Sequence, residues 1–138
     1  MLDPKIIEIA TDIRKKAYNF AMSDASKEYD FHHEDNLSCM CAVASYALYK
    51  DLLKKGYNSD TVKFVEGDFE DEYCGHCWIE IEGFIVDVTA TQFGIENEIY
   101  ITKIGKDRRY IKERETDLMP NWHMKQTPYW SDFKRFFE

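Results

Sequence analysis

The chain has no long hydrophobic run. None of its apolar stretches approaches the roughly 18–20 residues that a transmembrane helix requires, so no membrane span is expected. The N-terminus lacks a basic segment followed by an apolar one, which argues against a secretory signal. Glycine and proline are scarce, at six and three residues, and 44% of the residues are hydrophobic, which opposes disorder. We therefore predict one compact cytoplasmic domain over residues 1–138.

Positive charge is also in short supply. Eighteen Lys and Arg residues stand against 26 Asp and Glu residues, so the net charge is −8 and the pI is about 5.0. Nucleic-acid binding needs cations that displace counterions from phosphates, and it is not expected here. One basic cluster surrounds Tyr110, and we interpret it as a solvated strand edge or loop rather than a phosphate site: Lys103, Lys106, Arg108, Arg109 and Lys112.

Two segments are predicted to form helices. In the first, Asp3 can cap the helix, Pro4 suits its first turn, and apolar residues recur at helical spacing as far as Phe20. The second is predicted to begin near Ser38 and to end at Gly56. Its first half is apolar nearly all round, a pattern that is typical of a helix buried on every side.

Strand patterns fill much of the remaining chain. A hairpin is predicted around the two-residue turn Glu82-Gly83, with strands at 77–81 and 84–88. Further strands are predicted at 61–65 and 99–104, and an acidic loop at 66–73. The expected fold class is therefore α+β, with a central buried helix packed against a small antiparallel sheet.

The hairpin places two polar side chains together. With the predicted turn, strand alternation puts His76, Trp78 and Asp87 on one face and Cys77 on the opposite, core-facing side. His76 and Asp87 are then diagonal neighbours within reach of each other. A carboxylate bonded to one imidazole nitrogen fixes the tautomer and leaves the other nitrogen for a nucleophile. The alternative is a surface histidine near a surface aspartate.

The four cysteines fall into two close pairs, Cys39/Cys41 and Cys74/Cys77, in a chain that is expected to be reduced. A thiol in the first turn of a helix lies at the positive end of the helix dipole, which favours the thiolate. Both Cys39 and Cys41 meet this condition. Two residues apart on a helix point to nearly opposite sides, so only one of them is expected to face the histidine.

These motifs, taken together, resemble the papain-like cysteine proteases and the transglutaminase-like superfamily. The matching segments are Ser38-Cys-Met-Cys41-Ala-Val-Ala-Ser45, then His76-Cys-Trp78-Ile-Glu80, then Asp87-Val-Thr89. The family places a nucleophilic Cys at the head of a central helix, H-x-W at the start of a strand and D-x-T on the next strand. The resemblance covers roughly residues 38–93. It favours Cys41 over Cys39, because the family has a small residue four positions after the nucleophile, where Ser45 stands.

The resemblance implies an acyl-transfer reaction. Cys41 would attack an amide or thioester carbonyl, His76 would relay the proton, and Asp87 would hold His76. The Cys41 backbone N–H and Asn36 are the expected oxyanion donors, and Trp78 is expected to wall the site. A protein or peptide substrate is expected, and neither a cofactor nor a metal is implied. Peptidase, amidase and transglutaminase activities share this chemistry, and the sequence does not separate them.

Two other interpretations stay open. The four cysteines could bind zinc, with His76 as an alternate ligand, because Cys74-x-x-Cys77 has proper ligand spacing. Against this, Cys39-x-Cys41 lies in an apolar helix start and Cys77 is predicted to face the core. The second alternative is a transglutaminase-like binding module that keeps the fold without the chemistry. The remaining histidines are interpreted as loop or surface residues: His32, His33 and His123.

Overall fold

The structure, a computed structural model, describes residues 2–29, 32–70, 72–118 and 134–135, without the side chains of residues 72–74. Within these ranges the chain forms two α-helices and one five-stranded antiparallel sheet, so the predicted α+β class is confirmed. The elements are α1 (Pro4–Met22), α2 (Cys41–Lys54), β1 (Val62–Phe69), β2 (Glu72–Ile81), β3 (Phe84–Asp87), β4 (Tyr100–Lys103) and β5 (Tyr110–Thr116). Short 3₁₀ turns lie at Asp24–Ser26 and Ala90–Phe93. None of the described helices is long and apolar enough to cross a bilayer.

Helix α1 begins where local chemistry predicts. The Asp3 side chain accepts a hydrogen bond from the backbone N–H of Lys5, and Pro4 occupies the first turn, where a missing N–H costs nothing. The apolar face, which includes Ile6, Ile13 and Phe20, is fully buried. The helix therefore owes its position to one continuous apolar stripe that packs on the core.

Helix α2 begins at Cys41, three residues later than predicted. Ser38 does not cap it, because it lies two residues before the N-cap position, in a turn where its backbone N–H donates to Asn36 Oδ1. Cys39 has a φ of 68°, a left-handed conformation that no α-helix tolerates, and Met40 becomes the N-cap residue. Residues 41–49 are all buried, so the prediction of a central buried helix is confirmed.

The hairpin has the predicted register. Ile79 lies opposite Val86 and Ile81 opposite Phe84. The turn residues Glu82 and Gly83 have φ values of 54° and 86°, and two positive φ values are what a type I′ turn requires. This tight turn fixes which side chains of β2 and β3 share a face.

The predicted acidic loop at 66–73 is wrong. β1 continues through Phe69 and β2 begins at Glu72, so most of this segment is strand. β1 pairs with β2 on one side and with β5 on the other, with a register shift in each pairing near Gly67, so most of its backbone has strand partners. Glu66, which is buried, forms an ion pair with Arg114 of β5 at 3.6 Å. Tertiary pairing has therefore overridden the low strand propensity of the acidic residues.

Both faces of the sheet are buried near the hairpin. The strand order is β4-β3-β2-β1-β5, and one face packs on α1 and α2. On the other face Val65, Trp78 and Ile85 form a second cluster under Tyr110. The rings of Tyr100 on β4 and Tyr110 on β5 stack with centroids 6.1 Å apart, which shows that the two edge strands curl toward each other. The basic segment is thus partly edge strand, as predicted, but its tyrosine points inward.

Candidate active site

His76 and Asp87 form a buried pair between β2 and β3. His76 Nε2 lies 2.7 Å from Asp87 Oδ2, and neither side chain is exposed. The other carboxylate oxygen, Oδ1, accepts a hydrogen bond of 2.9 Å from the backbone N–H of Thr89. The predicted hydrogen bond is confirmed, and the alternative of a surface histidine near a surface aspartate is wrong. The pair is buried rather than exposed because the sheet curves over the face that carries both side chains.

The thiol of Cys41 contacts the same imidazole. Cys41 is the first residue of α2 and keeps only 4% of its surface exposed. Its thiol acts on the imidazole, because hydrogen bonding and charge from Cys41 are among the causes that raise the pKa of His76. Asp87 occupies Nε2, whereas Nδ1 is buried and has no hydrogen-bond partner among the described residues. Nδ1 is therefore the nitrogen left for the thiol. The structure thus brings together the three residues predicted as a catalytic set.

The charge on His76 is set by competing effects. Burial opposes the cation and by itself lowers the pKa of His76. The charge and hydrogen bond of Asp87, followed by the hydrogen bond and charge of Cys41, outweigh burial and raise that pKa from 6.5 to about 10. At neutral pH the ring is therefore protonated, with an anionic partner at one nitrogen and the thiol at the other.

Cys77 is a second thiol beside Cys41. It is fully buried on the helix-facing side of β2, as alternation predicted. Burial, followed by a hydrogen bond and charge from Cys41, raises the pKa of Cys77 well above its ordinary value. Cys77 therefore stays a neutral S–H group that can donate to the Cys41 sulfur. Its backbone carbonyl accepts a 3.1 Å hydrogen bond from Ser45 Oγ, one turn beyond Cys41, which ties β2 to α2.

Cys39 lies outside the helix and is exposed. The expectation that positions on one helix separate Cys39 from Cys41 is therefore wrong, because Cys39 is not in the helix; of the two, Cys41 is the thiol that acts on the pKa of His76. The left-handed φ of Cys39 turns the chain before α2 begins. Positive φ values also occur at His33 and Leu37, so three non-glycine residues of this loop adopt a costly conformation.

The two supporting residues lie beside the site. Asn36 belongs to the loop before α2; its Oδ1 accepts from Ser38 N and its carbonyl accepts from Thr91 Oγ1 at 3.0 Å. Its role as an oxyanion donor stays a prediction. The Trp78 ring lies 5.8 Å from the His76 ring, is fully buried, and donates from Nε1 to Glu80 Oε2 at 3.2 Å. It therefore borders the imidazole from the same face of β2.

Sequence reasoning missed the residues that enclose the pair. Tyr110 Oη donates to Asp87 Oδ2 at 2.7 Å, although 22 residues separate them along the chain. Phe69 and Phe93 stack with centroids 4.1 Å apart, and the Phe93 ring meets the His76 ring edge-on at 4.7 Å. Strand alternation in the basic segment was the one sequence feature that could have indicated an inward-facing Tyr110. It did not indicate which strand would lie next to β5, so the contact with Asp87 could not be predicted.

Arg14 of α1 supports the segment that follows Asp87. The side chain is buried, and its Nη1 donates to the carbonyl of Val88 at 2.8 Å and to Thr91 Oγ1 at 3.1 Å. Thr91 in turn donates to the Asn36 carbonyl in the loop before α2. These contacts connect α1, the segment after β3 and the loop before Cys41, so Arg14 helps to fix the position of Asp87 relative to Cys41.

The described side chains contain no group of three or more His, Cys, Asp or Glu residues that could hold a metal ion. The zinc interpretation needs the side chain of Cys74, which lies outside the described residues. Of the remaining histidines, His32 forms a hydrogen bond of 2.8 Å between its Nδ1 and Ser26 Oγ. Its ring stacks on that of exposed His33, in the segment that was predicted to be a loop. His123 lies outside the described residues.

Comparisons of the chain with protein-family models, with curated proteins and with solved structures give no match. The geometry and electrostatics of Cys41, His76 and Asp87 therefore provide the basis for a proposed function.

Proposed function

We propose that the chain is a thiol-dependent acyl-transfer enzyme of the papain-like or transglutaminase-like kind. The observation that carries this proposal is the position of His76 between the Asp87 carboxylate and the Cys41 thiol. A nucleophile, a base in contact with it and a third group that orients the base are the parts that covalent acyl transfer needs. The arrangement of a buried helix start against an antiparallel sheet also fits the papain-like core, which is part of the proposal.

The proposed reaction has two steps. The Cys41 sulfur attacks the carbonyl carbon of an amide or thioester, its proton resides on His76, and a tetrahedral oxyanion forms. The bond to the leaving amine or thiol then breaks, His76 gives that group its proton, and an acyl thioester remains on Cys41. In the second step His76 takes a proton from water or an amine, which attacks the thioester and releases the acyl group. Asp87 stays charged throughout.

The site geometry supports this sequence in two ways. A raised pKa of His76 means that the imidazolium is present at neutral pH, where it stabilises a thiolate on Cys41. The first turn of α2 presents the positive end of a helix dipole beside the same sulfur, where an oxyanion would develop. Asn36 stays the proposed second donor to that oxyanion.

Access to the site comes from the side of Cys41. His76 and Asp87 are fully buried, while Cys41 retains 4% exposure. We therefore expect an acyl donor to approach from the side of Cys41 rather than from the side of the imidazole. We expect small thiol reagents to react faster than bulky reagents of the same chemistry.

Thiol labelling tests the proposal. In a mixture with limiting iodoacetamide at pH 6, we expect Cys41 to be alkylated first, because an unassisted thiol with a pKa of about 8.5 is almost wholly protonated there. Exposed Cys39 should react more slowly than Cys41 in this mixture, and buried Cys77 should react last. Peptide mapping by mass spectrometry measures all three in one sample. The variants Cys41→Ser and Cys39→Ser are a matched pair, and only the first should abolish labelling at pH 6.

Two further measurements separate the alternatives. An enzyme should form an acyl thioester on Cys41 with p-nitrophenyl acetate and should turn over, whereas a silent binding module should do neither. A zinc protein should instead carry stoichiometric metal, show protected thiols and unfold with a chelator. If Cys39 is labelled at pH 6 while Cys41 is spared, the assignment of the nucleophile is wrong.

A further inference from the structure

Tyr110 donates to the same carboxylate oxygen that holds His76. Its Oη lies 2.7 Å from Asp87 Oδ2, and His76 Nε2 lies 2.7 Å from that atom as well. β5 is at one edge of the sheet, and two strands, β1 and β2, lie between it and β3, so the contact depends on the curl of the sheet. Tyr110 thus reaches Asp87 from the far edge of the sheet.

We infer that Tyr110 is a positioning residue of the proposed reaction, which orients Asp87 and limits how strongly Asp87 holds the proton on His76. The inference rests on the proposed function. Asp87 Oδ1 is fixed by the backbone N–H and hydroxyl of Thr89, at 2.9 and 3.4 Å, only two residues along the chain. Tyr110 fixes the opposite oxygen from another strand, so rotation of the carboxylate is restrained at both ends.

The Tyr110 ring is itself held firmly. It meets the Trp78 ring edge-on at 5.1 Å and the Phe69 ring edge-on at 5.2 Å, and Tyr100 stacks on it. Burial, followed by the charge of Asp87, raises the pKa of Tyr110, so the hydroxyl keeps its proton and stays a donor. A rigid neutral donor at a buried carboxylate is an oriented dipole rather than a mobile charge.

The sign of the effect follows from charge. When His76 loses its proton, the His76–Asp87 pair goes from neutral to a net charge of −1, and a hydrogen-bond donor stabilises the more negative state. Tyr110 therefore favours release of the proton from His76, which is the direction that general-base action in the second step requires. Other titratable or charged groups that interact with the pair include Cys41, Cys77 and, at longer range, Arg14.

The test compares Tyr110→Phe with Tyr100→Phe. Both variants keep the aromatic ring; the first loses the bond to Asp87, and the second loses a bond to Asp107 instead. We expect Tyr110→Phe to raise the pKa of His76 by about one pH unit, since one hydrogen bond is removed. The alkaline transition of Cys41 alkylation, where His76 loses its proton, should rise by the same amount. Tyr100→Phe should change neither quantity.

NMR titration of the His76 ring, assigned with His76→Gln, measures the first quantity, and the pH profile of iodoacetamide labelling measures the second. The inference is overturned if the pKa of His76 and the alkaline transition of Cys41 alkylation are the same in Tyr110→Phe as in the unmodified protein or in Tyr100→Phe. If Cys41 still reacts at pH 6 in that case, the proposed function survives. If Cys41 does not react preferentially in the unmodified protein, the proposed function fails and the inference falls with it. Should Tyr110→Phe not fold, biosynthetic 3-fluorotyrosine supplies a stronger donor and should lower the pKa of His76; no change would again overturn the inference.

Discussion

Asp87→Asn is the substitution that tests the electrostatics of the site most directly. The carboxylate charge is the largest influence that raises the pKa of His76, and burial, which lowers it, stays in place in the variant. The pKa of His76 should therefore fall from about 10 to 6.5 or below. That difference corresponds to about 5 kcal/mol of preference for the protonated ring. Cys41 should then lose most of its imidazolium partner above neutral pH, and its alkylation at pH 7.5 should slow by about tenfold or more, because an imidazole with a pKa of 6.5 or below is about one-tenth protonated or less there.

The variant also perturbs stability through hydrogen bonding. Asn has the shape of Asp, but its amide must direct N–H groups at one of the two oxygen positions. There it faces either the Thr89 N–H or the donors of His76 and Tyr110. A buried donor without a partner costs about 1–3 kcal/mol, so a measurable but tolerable loss of folding free energy is expected.

The free energy of unfolding should depend on pH because the pKa of His76 differs between the folded and unfolded protein. The pKa of His76 in the folded protein is above 6.5, so the stabilisation from protonation is complete below pH 6.5 and is lost as the pH rises toward 10. Urea unfolding in a Cys41→Ser background, where no nucleophile thiol titrates, should show stability falling across this interval, and Asp87→Asn should abolish the fall. Asp107→Asn is the matched control, because Asp107 binds Tyr100 and Arg109 instead of His76. A pKa of His76 that stays near 10 in Asp87→Asn would refute the reasoning.

Two further predictions concern packing around the site. Gly67→Ala should destabilise the fold by about 1–3 kcal/mol in thermal unfolding, because a Cβ there would overlap the Ile111 carbonyl and lie 2.8 Å from the Trp78 ring; an unchanged melting temperature would show that β1 can move away. Arg14→Met should cost about 1–3 kcal/mol by leaving buried acceptors without a donor, while Lys15→Met, on the exposed neighbouring position, should stay within about 0.5 kcal/mol; equal losses in both variants would contradict the role given to Arg14.

Part of the site follows from short-range chemistry. Two positive φ values at Glu82-Gly83 fix a hairpin turn, and alternation from that turn puts His76 and Asp87 on one face. The cap at Asp3 and the apolar spacing fix α1 in the same way. These features depend on residues close together in the chain, so the sequence alone was sufficient to predict them.

Other parts depend on which segments meet in space. The loop before α2 adopts left-handed turns at Leu37 and Cys39, which its residue types do not favour, and this delays the helix until Cys41. The acidic segment around Glu66 becomes a strand because strands lie on both sides of it. Backbone pairing and burial outweigh local propensity in both places, and neither is visible in a window of a few residues.

The surroundings of the His76 imidazole show most clearly which features the sequence determines and which the tertiary structure determines. The amino-acid sequence by itself determined the turn, the alternation and therefore the proximity of His76 and Asp87. Only the tertiary structure decided that the pair is buried, that the Cys41 thiol contacts it, and that Tyr110 shares the carboxylate oxygen. Those contacts join α2, β2, β3 and β5, and they exist because the sheet curls until its two edge strands touch through Tyr100 and Tyr110. Curvature of that kind is a property of the assembled sheet, since it arises from strand twist summed over five strands.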